Sequence, residues 1–341
     1  MTALSPRVDR WPGGGRGAAI TALAILAALA FVPLAASGWL VDKLTLLFIF
    51  MLLAAMWNLL AGYAGVVSVG QQAFFGVAAY LALRAVAGGM PPYAALLAGA
   101  AGAALVAWAM SFFLLRLKDG EFAIATWVAA EVLRILVMLD PLVQGETGTS
   151  LIALNDVEPV LRRNLGYWFA LASLSGASAA AFVLLRSRVG AAAQAIRDDD
   201  EAAAAVGVRV FATRQAIFVL AAFGCGLAGV CWLATAITFL PRTQFGIQWT
   251  VFMLFMVLVG GLRSFEGPFV GALLLFALQE LAGDFGAWYL AGLGAAAVLF
   301  ALYLPDGLWG VLRDRAGWSF LPTSVRLMPP IDPSIQTRRL P

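Results

Sequence analysis

Most of the chain consists of long apolar blocks separated by short polar or glycine-containing connections. A helix needs about 20 predominantly apolar residues to cross a bilayer, and ten blocks approach that length. They predict an all-α, polytopic transmembrane bundle of about ten helices, at residues 18–37, 44–61, 63–83, 93–115, 121–140, 166–186, 214–236, 247–262, 267–283 and 287–304.

The third block is the least regular, because glycines at positions 62, 65, 70 and 76 interrupt it. Glycine lets helix backbones approach closely, and transporters bind polar solutes where helices are broken near the middle of the membrane. The same residues also suit plain helix packing, with Gln making an interhelical hydrogen bond. The candidate residues of a substrate pathway in this block are Ser68, Gly70, Gln71, Gln72 and Gly76.

The basic residues predict the orientation of the chain. Cytoplasmic loops of membrane proteins are enriched in Lys and Arg. With the N-terminus inside, most of the 22 Lys and Arg residues fall on inside segments. The outside segments hold Lys43, Arg84, Arg162, Arg163 and Arg242. Both termini are therefore predicted to be cytoplasmic.

This orientation divides the chain into a cytoplasmic N-terminal segment at 1–17, a transmembrane domain at 18–304 and a cytoplasmic tail at 305–341. The proline-rich tail is predicted to be poorly ordered. The first block also fits a cleaved signal peptide, since Arg16 precedes it and small residues follow it. Cleavage would leave nine spans and an outside N-terminus.

One inside segment, residues 187–213, is too polar to span the membrane and predicts two short helices. The first runs through 191–196 and the second through 201–206. Asp198 is predicted to cap the second helix, with Glu201 completing a capping box, and Gly207 is predicted to end it. A capped helix of this kind is stiff enough to dock a partner; an alanine-rich solvated loop is the alternative.

Four stretches resemble the branched-chain amino acid permeases of ABC importers, and their order and spacing fit as well. The resemblance covers most of residues 40–310. The stretches are SRVGAAAQAIRDDDEAAAAVGV in the inside segment, GYAGVVSVGQQAFFGVAAYLAL at 62–83, GGLRSFEGPFVGALLL at 260–275 and FAIATWVAAEVLR at 122–134.

The resemblance implies a permease subunit in the bacterial inner membrane that pairs with a second permease subunit. Two cytoplasmic ATP-binding subunits would dock on the pair, and a periplasmic solute-binding protein would deliver a small polar solute. Branched-chain amino acids, urea, related amides and organic acids all fit. The residues that match the family's ATPase-docking segment are Arg197, Asp198, Glu201, Ala202 and Gly207.

The chain departs from the family pattern in the outside loop at 144–148. The family usually has a Gly-Gly pair there, followed by Asn-Gly, whereas this chain has Gln144 and Thr147 and keeps Gly145 and Gly148. Because the departure lies outside the membrane, it bears on the identity of the solute more than on membership.

Composition excludes several other functions. Only 12% of residues are charged, about half the usual share, and histidine is absent, which excludes a His-ligated metal and a His general base. The net charge of +3 reflects the inside loops rather than nucleic-acid binding. Without a G-x-x-x-x-G-K-[ST] phosphate loop, the chain is predicted to be no ATPase and to hold no cofactor or metal. The two cysteines are predicted to be small buried hydrophobes.

Glu131 and Arg134 complete the pathway candidates. They are three residues apart on one helix face and can pair. Ionisable groups in a membrane also serve proton relays, although a structural or gating pair is favoured here. An ion- or proton-coupled secondary carrier is therefore the alternative function, and a non-transporting membrane scaffold is a third.

Overall fold

The computed structural model describes residues 7–9, 15–304, 306–316 and 326–328, and most of them are helical. Fourteen α-helices lie in these described ranges. They are α1 Gly15–Ala35, α2 Gly38–Asn58, α3 Gln72–Ala87, α4 Pro92–Leu114, α5 Asp119–Met138, α6 Pro159–Arg186, α7 Arg188–Asp198, α8 Asp200–Ala205, α9 Val210–Ala236, α10 Pro241–Gln244, α11 Gln248–Gly260, α12 Gly267–Ala282, α13 Ala287–Tyr303 and α14 Gly307–Ala316.

The remaining elements are short. A π-helical turn at Leu59–Tyr63 continues α2, and 3-10 turns lie at Ile152–Leu154 and Gly283–Phe285. Two small antiparallel pairs join distant parts of the chain. They are β1 (Arg7–Asp9) with β4 (Arg326–Met328), and β2 (Thr149–Ser150) with β3 (Thr238–Phe239).

Each of the ten predicted apolar blocks falls on a helix, with shifts at the ends. The predicted start of the sixth helix at 166 is wrong, because α6 already begins at Pro159. Proline fits the first turn of a helix, and the Glu158 carboxylate caps this one by accepting the Leu161 N–H at 2.8 Å. The predicted third helix is also wrong at its start, since residues 65–71 are not helical and α3 begins at Gln72.

Five helices are long and apolar enough to cross a membrane: Gly38–Tyr63, Pro92–Leu114, Pro159–Arg186, Val210–Ala236 and Pro241–Gly260. A sixth candidate joins Trp288–Tyr303 to Gly307–Arg313 with a bend of 42°. Three further apolar helices are shorter: Ile20–Ala35, Gln72–Ala87 and Gly267–Ala282. The described helices therefore indicate a multi-pass membrane protein.

Helices α2, α3 and α9 form the centre of the bundle, because most of their side chains are buried. Small residues on α9 allow close approach; a Cβ at Gly229 would lie 2.0 Å from the carbonyl oxygen of Phe75. The Phe75 ring in turn packs on Trp249 of α11, with centroids 4.4 Å apart. Cys225 and Cys231 are free and buried on α9, which confirms their prediction.

Contacts between loops define two ends of the bundle. At the first, Arg197 of α7 bonds to Gly62, and Asn58 bonds to Ser264 in the α11–α12 loop. At the second, Arg84 pairs with Asp140 at 2.9 Å, and β2 pairs with β3. The first set joins segments predicted to lie inside and the second joins segments predicted to lie outside. We call these the inner end and the outer end.

The prediction of a poorly ordered tail is wrong for its first part, which forms α14. Gly307 begins this helix with a φ of +63°, and a Cβ there would lie 2.5 Å from the Gly261 nitrogen. Such close backbone contact anchors α14 beneath the α11–α12 loop. In the predicted N-terminal segment, the structure describes only β1 and the first residues of α1. Beyond α14, it describes only β4 of the predicted tail.

Candidate functional site

A break in the helical chain separates α2 from α3. The π-helical turn Leu59–Tyr63 ends α2, and the chain then runs without helix from Gly65 to Gln71. Gly65 has a φ of +70°, a conformation that glycine adopts without strain. A Cβ there would also lie 2.9 Å from the Arg197 side chain. π-Helical turns occur frequently at functional sites.

Two of the predicted pathway glycines permit close packing of this region. A Cβ at Gly70 would lie 2.0 Å from the carbonyl oxygen of Thr126 on α5. A Cβ at Gly76 would lie 2.5 Å from the ring of Phe245, which follows α10. The Thr126 hydroxyl also accepts the Val69 N–H at 3.2 Å. Helix α5 is therefore held directly against the backbone of the break.

The predicted polar residues of the break are buried. Ser68 accepts the Gly70 N–H through its hydroxyl at 3.2 Å, and its carbonyl accepts the Trp57 indole N–H at 2.9 Å. Gln72 accepts a hydrogen bond from the Thr250 hydroxyl at 2.5 Å. Both polar atoms of the Gln71 amide are buried without a hydrogen-bond partner. Such a group is costly to bury, which makes Gln71 the unexplained polar residue of the break.

A cleft of about 640 Å³ opens beside the break towards the outer end, and we call it the outer cleft. It brings together three of the predicted pathway residues: Gln72, Glu131 and Arg134. Ser68, Gly70 and Gln71 lie behind it in the packed interior. Gly76 contributes indirectly, because Phe245, which packs on it, lines the cleft.

The predicted pairing of Glu131 with Arg134 is confirmed. The Arg134 guanidinium donates from Nη2 at 2.5 Å and from Nε at 3.0 Å to Oε1 of Glu131. Its Nη1 is 3.4 Å from Oε1 of Glu146. The pair forms because the two residues share one face of α5, and the 144–148 loop adds the second carboxylate.

Sequence reasoning missed several residues of the outer cleft, namely Trp127, Glu146, Arg242, Thr243 and Gln248. Two signals were present. Arg242 is among the few basic residues on outside segments, and Glu146 lies in the loop where the chain departs from the family pattern. Neither signal could show that the two residues border one cleft.

At the inner end, the segment 187–213 forms two helices, as predicted, although the first is longer than expected. The cap of α8 is Asp199 and not Asp198, so that prediction is wrong by one residue. Asp199 Oδ1 accepts the N–H groups of Glu201 and Ala202 at 3.0 and 2.9 Å. Asp198 is instead the last residue of α7 and pairs with Arg197 at 2.8 Å.

The predicted stop at Gly207 is confirmed. Gly207 has a φ of +90°, and its N–H donates to Ala204 O at 3.0 Å. The following N–H, of Val208, donates to Ala203 O at 3.1 Å. These two bonds form a Schellman motif. The short helix α8 thus has a fixed beginning and a fixed end.

Arg197, predicted as a docking residue, reaches into the protein. Its Nη1 donates to the carbonyl oxygen of Gly62 in the π-helical turn at 3.1 Å. Asn58 directly precedes the π-helical turn. It donates from Nδ2 to Ser264 O at 2.8 Å, and its Oδ1 accepts the Arg263 N–H at 3.3 Å. We call this set of residues (Asn58, Gly62, Arg197, Arg263 and Ser264) the inner tie.

The inner tie joins three of the four stretches that carry the family resemblance: the inside segment, the break and the α11–α12 loop. Sequence reasoning missed Asn58. Its signal is a single amide in the otherwise apolar run of α2, where a buried polar group needs partners.

Comparisons with known proteins identify the family to which the sequence is similar. The model of the family described as "Branched-chain amino acid transport system / permease component" matches residues 39–304. The chain is 27% identical over 315 residues to the high-affinity branched-chain amino acid transport system permease protein LivM of Escherichia coli K12, which covers 83% of this chain and 73% of that protein. The LivM protein of Salmonella typhimurium is 27% identical over 325 residues, which covers 86% and 75% of the two chains. No solved structure matches the chain.

Proposed function

The chain belongs to the branched-chain amino acid transport permease family, and on that premise we propose that it is the membrane subunit of an ATP-driven importer in a bacterial inner membrane. It carries a small polar solute inwards: a branched-chain amino acid, as the names of its relatives suggest, or a related amide, urea or organic acid. Its partners are a second permease subunit, two cytoplasmic ATP-binding subunits and a periplasmic solute-binding protein.

The topology proposed for this role has ten crossings. The five long apolar helices, the three shorter ones, α5 and the bent α13–α14 unit account for them. Contacts among predicted inside segments at one end, and among predicted outside segments at the other, support the alternation. The pairing of β1 with β4 supports placing both termini on one side, which charge assigns to the cytoplasm.

The observation that carries the proposal is the inner tie. An ATPase that docks on α7 and α8 needs a rigid route into the membrane domain, and Arg197 provides it by bonding to the π-helical turn. The break that follows this turn reaches Gln72, which lines the outer cleft. Displacement of the docking segment therefore moves the backbone beside the proposed solute route.

In this mechanism the permease supplies no chemistry of ATP hydrolysis. The docking surface consists of Asp198, Glu201, Ala202 and the end of α8 at Gly207, with Arg197 behind it. Ser68, Gly70, Gln71, Gln72, Gly76, Glu131 and Arg134 form the wall of the route or support it. The isolated chain should accordingly show no ATP hydrolysis.

The proposed coupling is tested by Ala203→Pro in the reconstituted importer. Proline removes the bond from the Ala203 N–H to Asp199 O and costs a helix interior about 3 kcal/mol. We expect the variant to insert and pair but to lose the link between ATP hydrolysis and solute uptake, measured together in proteoliposomes.

The matched control is Asp200→Pro. Asp200 is the first residue of α8, where proline is tolerated, and Asp199 before it already has the extended backbone that proline requires. The substitution also removes the ion pair of Asp200 with Arg214, which is long at 3.5 Å and contributes little. This variant should stay coupled. If both variants couple normally, the helix at residues 200–205 has no role in coupling. If uptake persists without the ATPase and is abolished by a protonophore, the chain is a secondary carrier instead.

The orientation is tested by cysteine labelling. The native cysteines are buried, so single Glu201→Cys and Asn155→Cys variants, both at exposed positions, report cleanly. A membrane-impermeant maleimide added from the periplasmic side should label position 155 and miss position 201. The opposite pattern would reverse the proposed topology.

A further inference from the structure

The outer cleft contains more charge than a passage for an uncharged solute requires. Two carboxylates, Glu131 and Glu146, and two guanidinium groups, Arg134 and Arg242, line it. Their formal charges cancel. Opposite charges held at separate points of one cleft match a ligand that is neutral overall but carries separated charges.

The four groups are not equally available. Arg134 is satisfied by its fork to Glu131 and is only 20% exposed. Arg242 is exposed, and within the part of the chain that the structure describes no carboxylate pairs with it. Glu146 is 60% exposed and its one ion pair, with Arg134, is long at 3.4 Å. Arg242 and Glu146 are therefore the positive and the negative group most available to a ligand.

The cleft also offers an apolar wall. Trp127, Ile247 and Leu290 line it, and none of them is covered by other parts of the described chain. Covering exposed apolar surface with the hydrocarbon part of a ligand is favourable. A ligand with a short apolar body and two opposite charges would use every free feature of the site.

We propose that the outer cleft is a recognition site on this chain itself for a small zwitterion with an apolar body, in which Arg242 binds the carboxylate and Glu146 binds the ammonium group. The inference rests on the proposed importer function and narrows its solute. Urea or a neutral amide leaves both charges unmatched. An organic acid satisfies Arg242 but brings its negative charge close to Glu146, and unmatched or like charges are what a selective site uses against the wrong ligand.

The test uses the purified full-length chain in lipid nanodiscs and four probes that share the branched alkyl chain of leucine. L-leucine carries both charges, 4-methylpentanoate lacks the ammonium group, 3-methylbutylamine lacks the carboxylate, and 4-methylpentanamide carries no charge. We expect L-leucine to bind at least about tenfold more tightly than each of the others, since each charged hydrogen bond is worth that much.

Two variants separate the roles. In Arg242→Gln the advantage of L-leucine over 3-methylbutylamine should vanish, because the carboxylate has lost its partner. In Glu146→Gln the advantage over 4-methylpentanoate should vanish instead. Arg242→Lys should keep the wild-type order of the probes. Arg163→Gln is the control, because Arg163 is a guanidinium at the outer end that pairs with Asp42 away from the cleft. A variant that merely unfolded would lose all four probes alike.

The inference is overturned if the amide binds as tightly as L-leucine, if both variants keep the wild-type order, or if no probe binds the wild-type chain. Uptake by the complete importer distinguishes this from failure of the proposed function. ATP-driven uptake of L-leucine without binding to the isolated chain would contradict only the proposed recognition site in the outer cleft. Absence of ATP-driven uptake of any solute would count against the importer itself.

Discussion

The inner tie and the outer cleft are both built from polar side chains in an apolar protein, yet they are bonded in different ways. In the inner tie, Asn58 and Arg197 bond to backbone groups of Gly62, Arg263 and Ser264, and Asn58 is 2% exposed. In the outer cleft, Arg134 bonds to the carboxylates of Glu131 and Glu146, and both glutamates are more than half exposed.

The difference indicates what each region can do. Asn58 is buried, so breaking its bonds to the backbone would leave a buried amide unpaired, which costs about 1–3 kcal/mol. In the proposed mechanism, the tie is therefore the connection that transmits displacement between the segments that it joins. Exposed ion pairs are worth about 0–1 kcal/mol, so the groups of the cleft can exchange one another for a solute. The type of residue does not separate the two regions; what the residue is bonded to does.

The largest effect is expected where the two regions meet, at Gly70. In Gly70→Ala the new Cβ would lie 2.0 Å from the Thr126 carbonyl oxygen, which is backbone and cannot swing away. Overpacking of this kind costs about 1–3 kcal/mol, and it forces α5 from the break. We expect uptake in proteoliposomes to fall by more than the amount of folded protein does.

Gly176→Ala serves as its control, since a Cβ there meets nothing within 4 Å. The larger Gly70→Leu and Gly76→Leu substitutions should act in the same way. Normal uptake in the Gly70 variants would show that the break only packs helices.

The comparison is tested most directly by removing the tie. Asn58→Ala leaves the Ser264 carbonyl and the Arg263 N–H without their partner, at a cost of about 1–3 kcal/mol. We expect more ATP hydrolysed per solute molecule carried. Arg197→Ala should do the same, and the double variant should be less than additive because both residues serve one connection. Arg197→Lys keeps a donor for Gly62 and should recover part of the coupling. An unchanged ratio of ATP to solute in all variants would contradict the role of the tie.

Sequence predicted well what is local. Apolar blocks predicted the helices, the glycine at 207 predicted the end of α8, and a spacing of three predicted the Glu131–Arg134 pair. It failed where a local choice depended on a distant partner. Arg197 bonds to a carbonyl 135 positions earlier in the chain, and Asn58 bonds 206 positions away. Asp199, and not Asp198, caps α8, because α7 extends as far as Asp198. There Asp198 pairs with Arg197. The outer cleft gathers α5 and two outside loops, and no spacing in the sequence encodes that meeting.

A smaller effect is expected at Asp140 at the outer end, where a substitution should lower stability without changing transport. Asp140 lies beyond the end of α5 and accepts hydrogen bonds from the Tyr80 hydroxyl at 2.5 Å and the Leu142 N–H at 2.9 Å, beside Arg84. The Tyr80 hydrogen bond is the main cause that lowers the pKa of Asp140 below its ordinary value of 3.8. A lowered pKa in the folded state stabilises the protein above the ordinary pKa and loses that contribution as the pH falls through the folded value.

Asp140→Asn should therefore lower the free energy of unfolding in nanodiscs at pH 7 by about 1–2 kcal/mol. The difference in this free energy between variant and wild type should shrink below about pH 4. Uptake at pH 7 should be unaffected at equal amounts of folded protein. A gap that is constant down to pH 3 would exclude the carboxylate as its cause.

The smallest effect is expected at Gln144. This residue has a φ of +55° although it is not glycine, and the family usually has glycine there. Gln144→Gly should relieve a backbone cost of about 1 kcal/mol and raise the melting temperature slightly. Gln144→Ala keeps the strain and is the control. Equal stability of the two variants would show that the loop carries no strain at this position.

The π-helical turn at Leu59–Tyr63 has a consequence for how this protein can evolve. A π-turn corresponds to one residue inserted into an α-helix. Loss of a single codon here would restore a regular helix and rotate all that follows by about 100° relative to α2. The Gly62 carbonyl would turn from Arg197, and Gly65 and Gly70 would leave the partners that require glycine. No single later substitution could restore all of these contacts, so descendants should inherit the inserted residue, the tie and the broken helix together or lose them together.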